Sequence, residues 1–299
     1  MLLQVLENGN LKNMHVAYYP ELVRFFPVIN IKDDTQPEKA SISISYKPIK
    51  GTASAMTVPL LPDTDCLQAV DVDMHRSATS AYNMGREYND WFSSCLGYRV
   101  IFAYLGRNTR QVLMSTNIDE QTNNSWMSPI SSYLPIAISN LIPTQGKTIG
   151  FSDCAPYLVV SNTSLQDVSR RLPDGESMNV EKFRPNLIIE GADEAWDEDF
   201  WAELDFGHAK LDLVHNCVRC QSINIDYETG KSGVGESGKV LKKLQSDRRV
   251  DSGAKYSPVF GRYSFLHGNH EGDVISVGDE AVVTRRNDKR TVFDWPGLG

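Results

Sequence analysis

Apolar and polar residues alternate along the first third of the chain. Ser41-Ile42-Ser43-Ile44-Ser45-Tyr46 repeats with period two, the pattern of a strand with one face buried. Residues 54–60 and 66–72 read as two more strands. From Ala78 to Leu96 the period lengthens. Tyr82, Tyr88, Trp91, Phe92 and Cys95 fall near helical spacing and Gly97 supplies a stop, so a helix is expected there. Tyr98 to Leu105 returns to a strand pattern.

Residues 106–147 lose this order. They are rich in Asn, Thr, Ser and Gln, and read as a long surface loop or insertion between two structural parts. Loops of such length are usually functional or mobile. Beyond them short elements follow one another. Strands are expected at Tyr157 to Val160, Leu187 to Glu190, Lys210 to His215, Gln221 to Tyr227, Gly261 to Leu266 and Ala281 to Thr284. Thr163-x-x-Gln166 has the form of a capping box opening a helix to about Leu172. Trp196 to Leu204 reads as a short acidic helix, and Lys239 to Arg248 as a helix with a basic face. Many short strands with few helices predict a β-rich, barrel-like α/β (α+β) fold. The expected division is 1–105, an insertion or linker at 106–147, and a second domain at 148–294.

Bulk composition narrows the function classes. The chain has 299 residues, 41% hydrophobic and 23% charged, which is ordinary for a globular protein of one large or two smaller domains. Its net charge of −8 argues against a dedicated nucleic-acid binder. No apolar run approaches the roughly 20 residues of a membrane span. Residues 1–13 lack the basic start and apolar core of a signal peptide. Five cysteines, an odd count spread over a long chain, fit a reducing, intracellular compartment.

Several motifs carry candidate chemistry. Cys217-x-x-Cys220 could belong to a zinc site with His215, to a redox pair, or to a metal that takes one terminal thiolate; it could also be two small buried residues at a strand junction. Gly233-Val234-Gly235-Glu236-Ser237-Gly238-Lys239 fits the spacing of a nucleotide-binding P-loop, but Val240 stands where Mg²⁺ needs Ser or Thr. A flexible surface loop is the simpler reading. The acidic stretch Asp193 to Asp205 is expected as a solvated helix face with Trp196 and Trp201 docked on the core. His208, His267 and His270 have no partner at catalytic spacing, and no hydrolase motif is found. Arg184, shaped to grip a phosphate with two hydrogen bonds, stands before Pro185, which is expected to hold it extended.

The order of these segments is more specific than any one of them. Phe151-Ser152-Asp153-Cys154-Ala155-Pro156 is followed by Phe183-Arg184-Pro185-Asn186, Trp196-x-Glu198-Asp199-x-Trp201 and Cys217-x-Arg219-Cys220. Asp226-x-x-Thr229-Gly230, Leu241-x-x-Leu244-x-x-x-Arg248, Pro258-x-Phe260-Gly261 and Val277-Gly278-Asp279 complete the series. This set, over about residues 150–284, resembles the MOSC domain, and more closely the molybdenum-dependent amidoxime-reducing proteins. Residues 1–105 resemble their N-terminal MOSC-associated β-barrel only loosely. The family's opening phosphate-gripping motif is not found, so the chain is expected to enter that barrel part-way.

The resemblance implies a molybdenum cofactor, a pterin dithiolene carrying Mo and a terminal phosphate. Cys220 would be the protein ligand to Mo, with Cys217 beside it but not on the metal. Arg184, Asn186, Asp153, Arg219 and Phe260 would contact the cofactor. The implied activity is reduction of small N-hydroxylated substrates. Electrons would come from a b-type cytochrome and an NADH-dependent flavin reductase, in a cytoplasmic or mitochondrial setting. A MOSC module that binds or transfers the cofactor or its sulfur is the alternative. Pyridoxal phosphate binding is a further family-level implication.

Overall fold

A computed structural model of the chain describes residues 1–31, 36–116, 147–268 and 272–298. Most of the expected insertion, residues 117–146, and also His270 lie outside the described residues. Internal contacts divide the chain into two compact units. The first is Met1–Arg110 with Cys220–Lys242, and the second is Gln111–Arg219 with Lys243–Gly299. Both are strand-rich, as the short alternating segments predict.

The first unit holds two larger antiparallel sheets and the two-stranded pair Ile225–Asp226 with Lys231–Ser232. Five strands run in the spatial order Leu11–Asn13, Leu2–Val5, Val100–Tyr104, Ser77–Asn83, Gln68–Met74. Three more, Phe25–Asn30, Ser41–Tyr46 and Ser54–Pro59, form a meander with the alternating Ser41–Tyr46 segment at its centre. A core of Met14, Tyr19, Ile44, Val58, Met84, Phe92 and Val100 joins both sheets to the helix Arg86–Leu96.

That helix is shorter than its pattern predicts. Ser77–Asn83 is instead a strand, paired residue for residue with Gln68–Met74. The hairpin between them turns on His75 and Arg76, both with positive φ. Such a turn normally uses Asn or Gly, so its usual signal is missing from the sequence. The helix begins only after Gly85, and ends as expected at Gly97, whose left-handed backbone donates its N–H to the Ser93 carbonyl.

The second unit is built on one six-stranded sheet in the order Leu187–Ile189, Tyr157–Ser161, Val259–Leu266, Lys210–Val218, Trp201–Asp205, Val282–Arg286. Its first pair is parallel and the others are antiparallel. A parallel pair needs a crossover, and the helix Asn162–Ser169 lies within it. The capping box is not formed. Ser161 occupies the cap without a side-chain bond, and the Thr163 hydroxyl donates to the Ala192 carbonyl at 2.9 Å.

Two further segments differ from expectation. Trp196 to Leu204 is not a helix: a 3-10 turn at Asp197–Phe200 leads into the strand Trp201–Asp205, which lines the core with Trp201 and Leu204. Gln221–Asn224 is a 3-10 turn where a strand was expected, leaving a two-residue strand at Ile225–Asp226. Gly261, at φ +80°, shows why Pro258-x-Phe260-Gly261 ends in glycine. A Cβ there would stand 2.7 Å from the Val159 carbonyl oxygen of the adjacent strand.

Candidate functional site

Arg184 sits at the end of a 3-10 turn, Val180–Phe183. Asn179 caps the turn by accepting from the Glu181 N–H at 2.8 Å. The turn closes with Arg184 in the left-handed region, φ 57° and ψ 45°, its N–H on the Glu181 carbonyl at 3.0 Å. The extended backbone expected before Pro185 is therefore not adopted. The turn's closing hydrogen bond outweighs the pre-proline preference, at a strain on the order of 1–2 kcal/mol. The guanidinium points outward, 63% exposed, with Asp153 3.6 Å away and itself half exposed.

Asn186 has a different task. Its side-chain oxygen accepts from the Leu158 N–H at 2.8 Å, and its own N–H donates to the Leu158 carbonyl at 2.9 Å. This two-bond clamp ties the Arg184 turn to the strand Tyr157–Ser161.

Arg219 is buried. Its Nε and Nη2 both donate to the Phe260 carbonyl, at 2.9 and 2.6 Å, and Nη1 donates to the Phe183 carbonyl at 2.9 Å. The guanidinium also lies over the Phe183 and Phe260 rings, at 5.2 and 5.7 Å, and these rings meet edge to face at 4.5 Å. Phe260 is fully buried. Arg219 thus fixes the peptide that leads into Arg184 and, by chain continuity, the backbone that leads into Cys220.

The two cysteines of the Cys-x-x-Cys motif part company. Cys217 is buried on the strand Lys210–Val218 with its thiol toward the Val218 carbonyl. Tyr263, buried, has its phenol pushed well up by that burial and then by Cys217. Cys220 is exposed at the start of the Gln221–Asn224 turn. His215, the third ligand of a zinc reading, instead turns its Nε2 to the Ser115 carbonyl at 2.8 Å and Asp294 at 3.4 Å.

Among the described residues, Glu203, Asp212 and His267 are the one group spaced like metal ligands. Cations already fill it. Arg285 reaches Asp212 at 3.2 Å, and Lys210 lies 3.7 Å from Glu203.

The glycine-rich loop is not arranged as a phosphate cradle. Gly233 and Gly238 touch backbone to backbone, so closely that a Cβ on Gly238 would stand 2.0 Å from the Gly233 carbonyl oxygen. The Gly233 N–H is used on the Asn224 carbonyl, and Lys239 pairs with Glu236 at 2.8 Å.

The acidic stretch is also not a solvated face. Glu198 and Asp199 are buried. Asp199 accepts two bonds from Arg248 Nη2, at 2.8 and 2.9 Å, and one from Arg290 at 2.7 Å. Arg248 stacks 3.9 Å over the Trp196 ring, and Trp196 meets Phe260 at 5.5 Å. One column of cations and rings therefore links the Asp199 ion pair to Arg219. Sequence reading missed Arg248 and Asp199, although both lie in motifs of the ordered set.

Residues 146–282 match the family described as the MOSC domain. The chain carries a MOSC domain. Over 185 residues it is 30% identical to mitochondrial amidoxime reducing component 2 of Macaca fascicularis, covering 60% of this chain and 47% of that protein. Mitochondrial amidoxime-reducing component 1 of Homo sapiens is 36% identical over 135 residues, 44% of this chain and 37% of that protein. Molybdenum cofactor sulfurase of Arabidopsis thaliana is 29% identical over 188 residues, 60% of this chain and 20% of that protein. The chain spans about half the length, or less, of these curated relatives. The MOSC domain is homologous to the amidoxime-reducing components, and points to a function associated with the molybdenum cofactor.

Proposed function

We propose that the chain binds the molybdenum cofactor and reduces N-hydroxylated substrates. The observation that carries this reading is Cys220, an exposed thiol in the Cys-x-Arg-Cys motif of a MOSC domain. Taken one by one, these residues have the chemistry such a group needs. A soft sulfur ligand is accessible, and the Arg184 guanidinium is outward-facing, its ion pair with Asp153 long and half-exposed.

When bound, the cofactor supplies two-electron oxygen-atom transfer, so that a substrate N–O bond breaks and two electrons and two protons leave amine and water. The protein's part is placement. Cys220 would hold Mo through its thiolate. Arg184 would bind the pterin phosphate, and Asp153 would orient that guanidinium. Asn186 acts through its clamp on Leu158. Arg219 and Phe260, both buried, would act through the backbone they fix at Phe183, the peptide before Arg184.

The implied electron donors are a b-type cytochrome and an NADH-dependent flavin reductase. Five free cysteines support an intracellular setting, and the named mitochondrial relatives favour mitochondria. Among the described residues no helix is long and apolar enough to cross a membrane. The sulfurase relative favours a second reading, in which the module holds or passes on the cofactor or its sulfur without reductase activity.

The test is molybdenum content of wild type and Cys220→Ser from a cofactor-competent host, with amidoxime turnover on an artificial donor. Molybdenum with turnover, both altered by Cys220→Ser, is expected. Molybdenum without turnover would favour the carrier reading, and no molybdenum would overturn both.

A further inference from the structure

Cys220 precedes the 3-10 turn Gln221–Asn224, and Ser222 lies within it. The Cys220 sulfur is 3.3 Å from the Ser222 hydroxyl oxygen, within hydrogen-bonding reach. The turn is pinned from its far end. Asn224 Nδ2 donates to the Gln221 side chain at 2.8 Å, Asn224 Oδ1 accepts from the Leu241 N–H at 3.0 Å, and the Asn224 carbonyl accepts from the Gly233 N–H at 2.8 Å. These bonds explain why a glycine-rich loop lies beside the motif: its close backbone contacts help lock Asn224, and with it the turn. The set holds Gln221 and Asn224, the residues on either side of Ser222 in the turn.

Either atom of the pair can donate while the sulfur keeps its proton. Once the sulfur is a metal ligand it has no proton to give, so the hydroxyl must donate to it. A hydrogen bond to a ligating sulfur withdraws electron density that would otherwise pass to the metal. It thereby favours the reduced metal and raises the reduction potential. We propose that Ser222 is a positioning residue for the Cys220 sulfur, its hydroxyl aiming the ligand lone pair and weakening the sulfur's donation to the bound metal. This inference rests on the reading of Cys220 as the Mo ligand.

The experiment is a potentiometric titration of the loaded protein, followed by the Mo(V) paramagnetic signal, for wild type, Ser222→Ala, Ser222→Thr and Cys220→Ser. A hydrogen bond to a charged group is worth enough to move the reduction equilibrium about tenfold. That is about 59 mV for a one-electron couple. Ser222→Ala is expected to lower the potential by this amount with molybdenum content unchanged, and Ser222→Thr, which keeps the hydroxyl, to restore it. A potential unchanged in Ser222→Ala, or not restored by Ser222→Thr, overturns the role of Ser222. If Cys220→Ser leaves the Mo(V) signal as in wild type, or the wild type takes up no molybdenum, the ligand reading fails and this inference falls with it.

Discussion

Phe92 and Asp199 are both buried, 2% and 1% exposed, yet they are held by opposite means. Phe92 packs against Phe25, Trp91 and Phe102 with ring centroids 4.8–5.3 Å apart. Such a core tolerates another apolar side chain of similar size. Asp199 instead holds Arg248 and Arg290 in place, and has no apolar substitute while they remain. The eight buried side-chain atoms that lack a hydrogen-bond partner among the described residues, including Arg248 Nε and Arg262 Nε, all belong to the second unit. Paired buried charges of this kind seldom outdo a hydrophobic core in stability.

The sharpest way to break the comparison is a pair of substitutions. Asp199→Asn keeps the shape but removes the charge, leaving Arg248 buried beside a neutral group. It is expected to cost about 3–5 kcal/mol. Phe92→Leu is expected to cost only about 1–1.5 kcal/mol. Urea unfolding of both variants decides the matter. Equal losses would show that the charged column is no more demanding than the aromatic cluster.

A smaller effect depends on pH. Burial pushes the Glu198 carboxyl up from its usual 4.5 to about 7, with the Ser164 hydrogen bond opposing. The folded state therefore binds this proton more tightly than the unfolded chain. The stabilisation is full below pH 4.5 and is lost as pH rises through about 7. His215 works the other way: its buried ring is held below the usual 6.5, so its contribution weakens as pH falls through that region. The two overlap, and the difference between wild type and Glu198→Gln isolates the carboxyl. Glu198→Gln is expected to gain on wild type by about 1–3 kcal/mol from pH 5 to pH 8. A difference that stays flat with pH would mean that Glu198 does not titrate in this range.

The same contrast decides what could be read from the chain. Period-two runs such as Ser41–Tyr46 and the stop at Gly97 were legible because one buried face or one left-handed residue dictates them locally. The acidic stretch was misread because its partners, Arg248 and Arg290, are 49 and 91 residues away. Nothing local marks Glu198 and Asp199 as buried. The order of motifs carried the MOSC assignment even so. It preserves long-range partners, the Trp196, Arg248 and Phe260 of one stacked column, that periodicity cannot see. Arg219, which the resemblance sets against the cofactor, uses its fork on two carbonyls, a pairing that nothing local announces.

The smallest expected effect on stability carries the most information about function. Arg184 adopts φ 57°, a conformation glycine takes without the Cβ penalty. Arg184→Gly would relieve that strain, lose an exposed ion pair with Asp153 worth well under about 1 kcal/mol, and add freedom to the unfolded chain. The net is expected to be a gain of about 0.5 kcal/mol. If Arg184 holds the cofactor phosphate, the same variant should lose most of its molybdenum, so that stability and loading move in opposite directions. Arg184→Lys should keep the strain and the charge while losing the bidentate grip, and so fall between the two in molybdenum content. Thermal unfolding of the cofactor-free protein, set beside metal analysis of the loaded one, reads both quantities. Full molybdenum in Arg184→Gly would leave the left-handed turn as backbone geometry alone and move the phosphate grip to another residue.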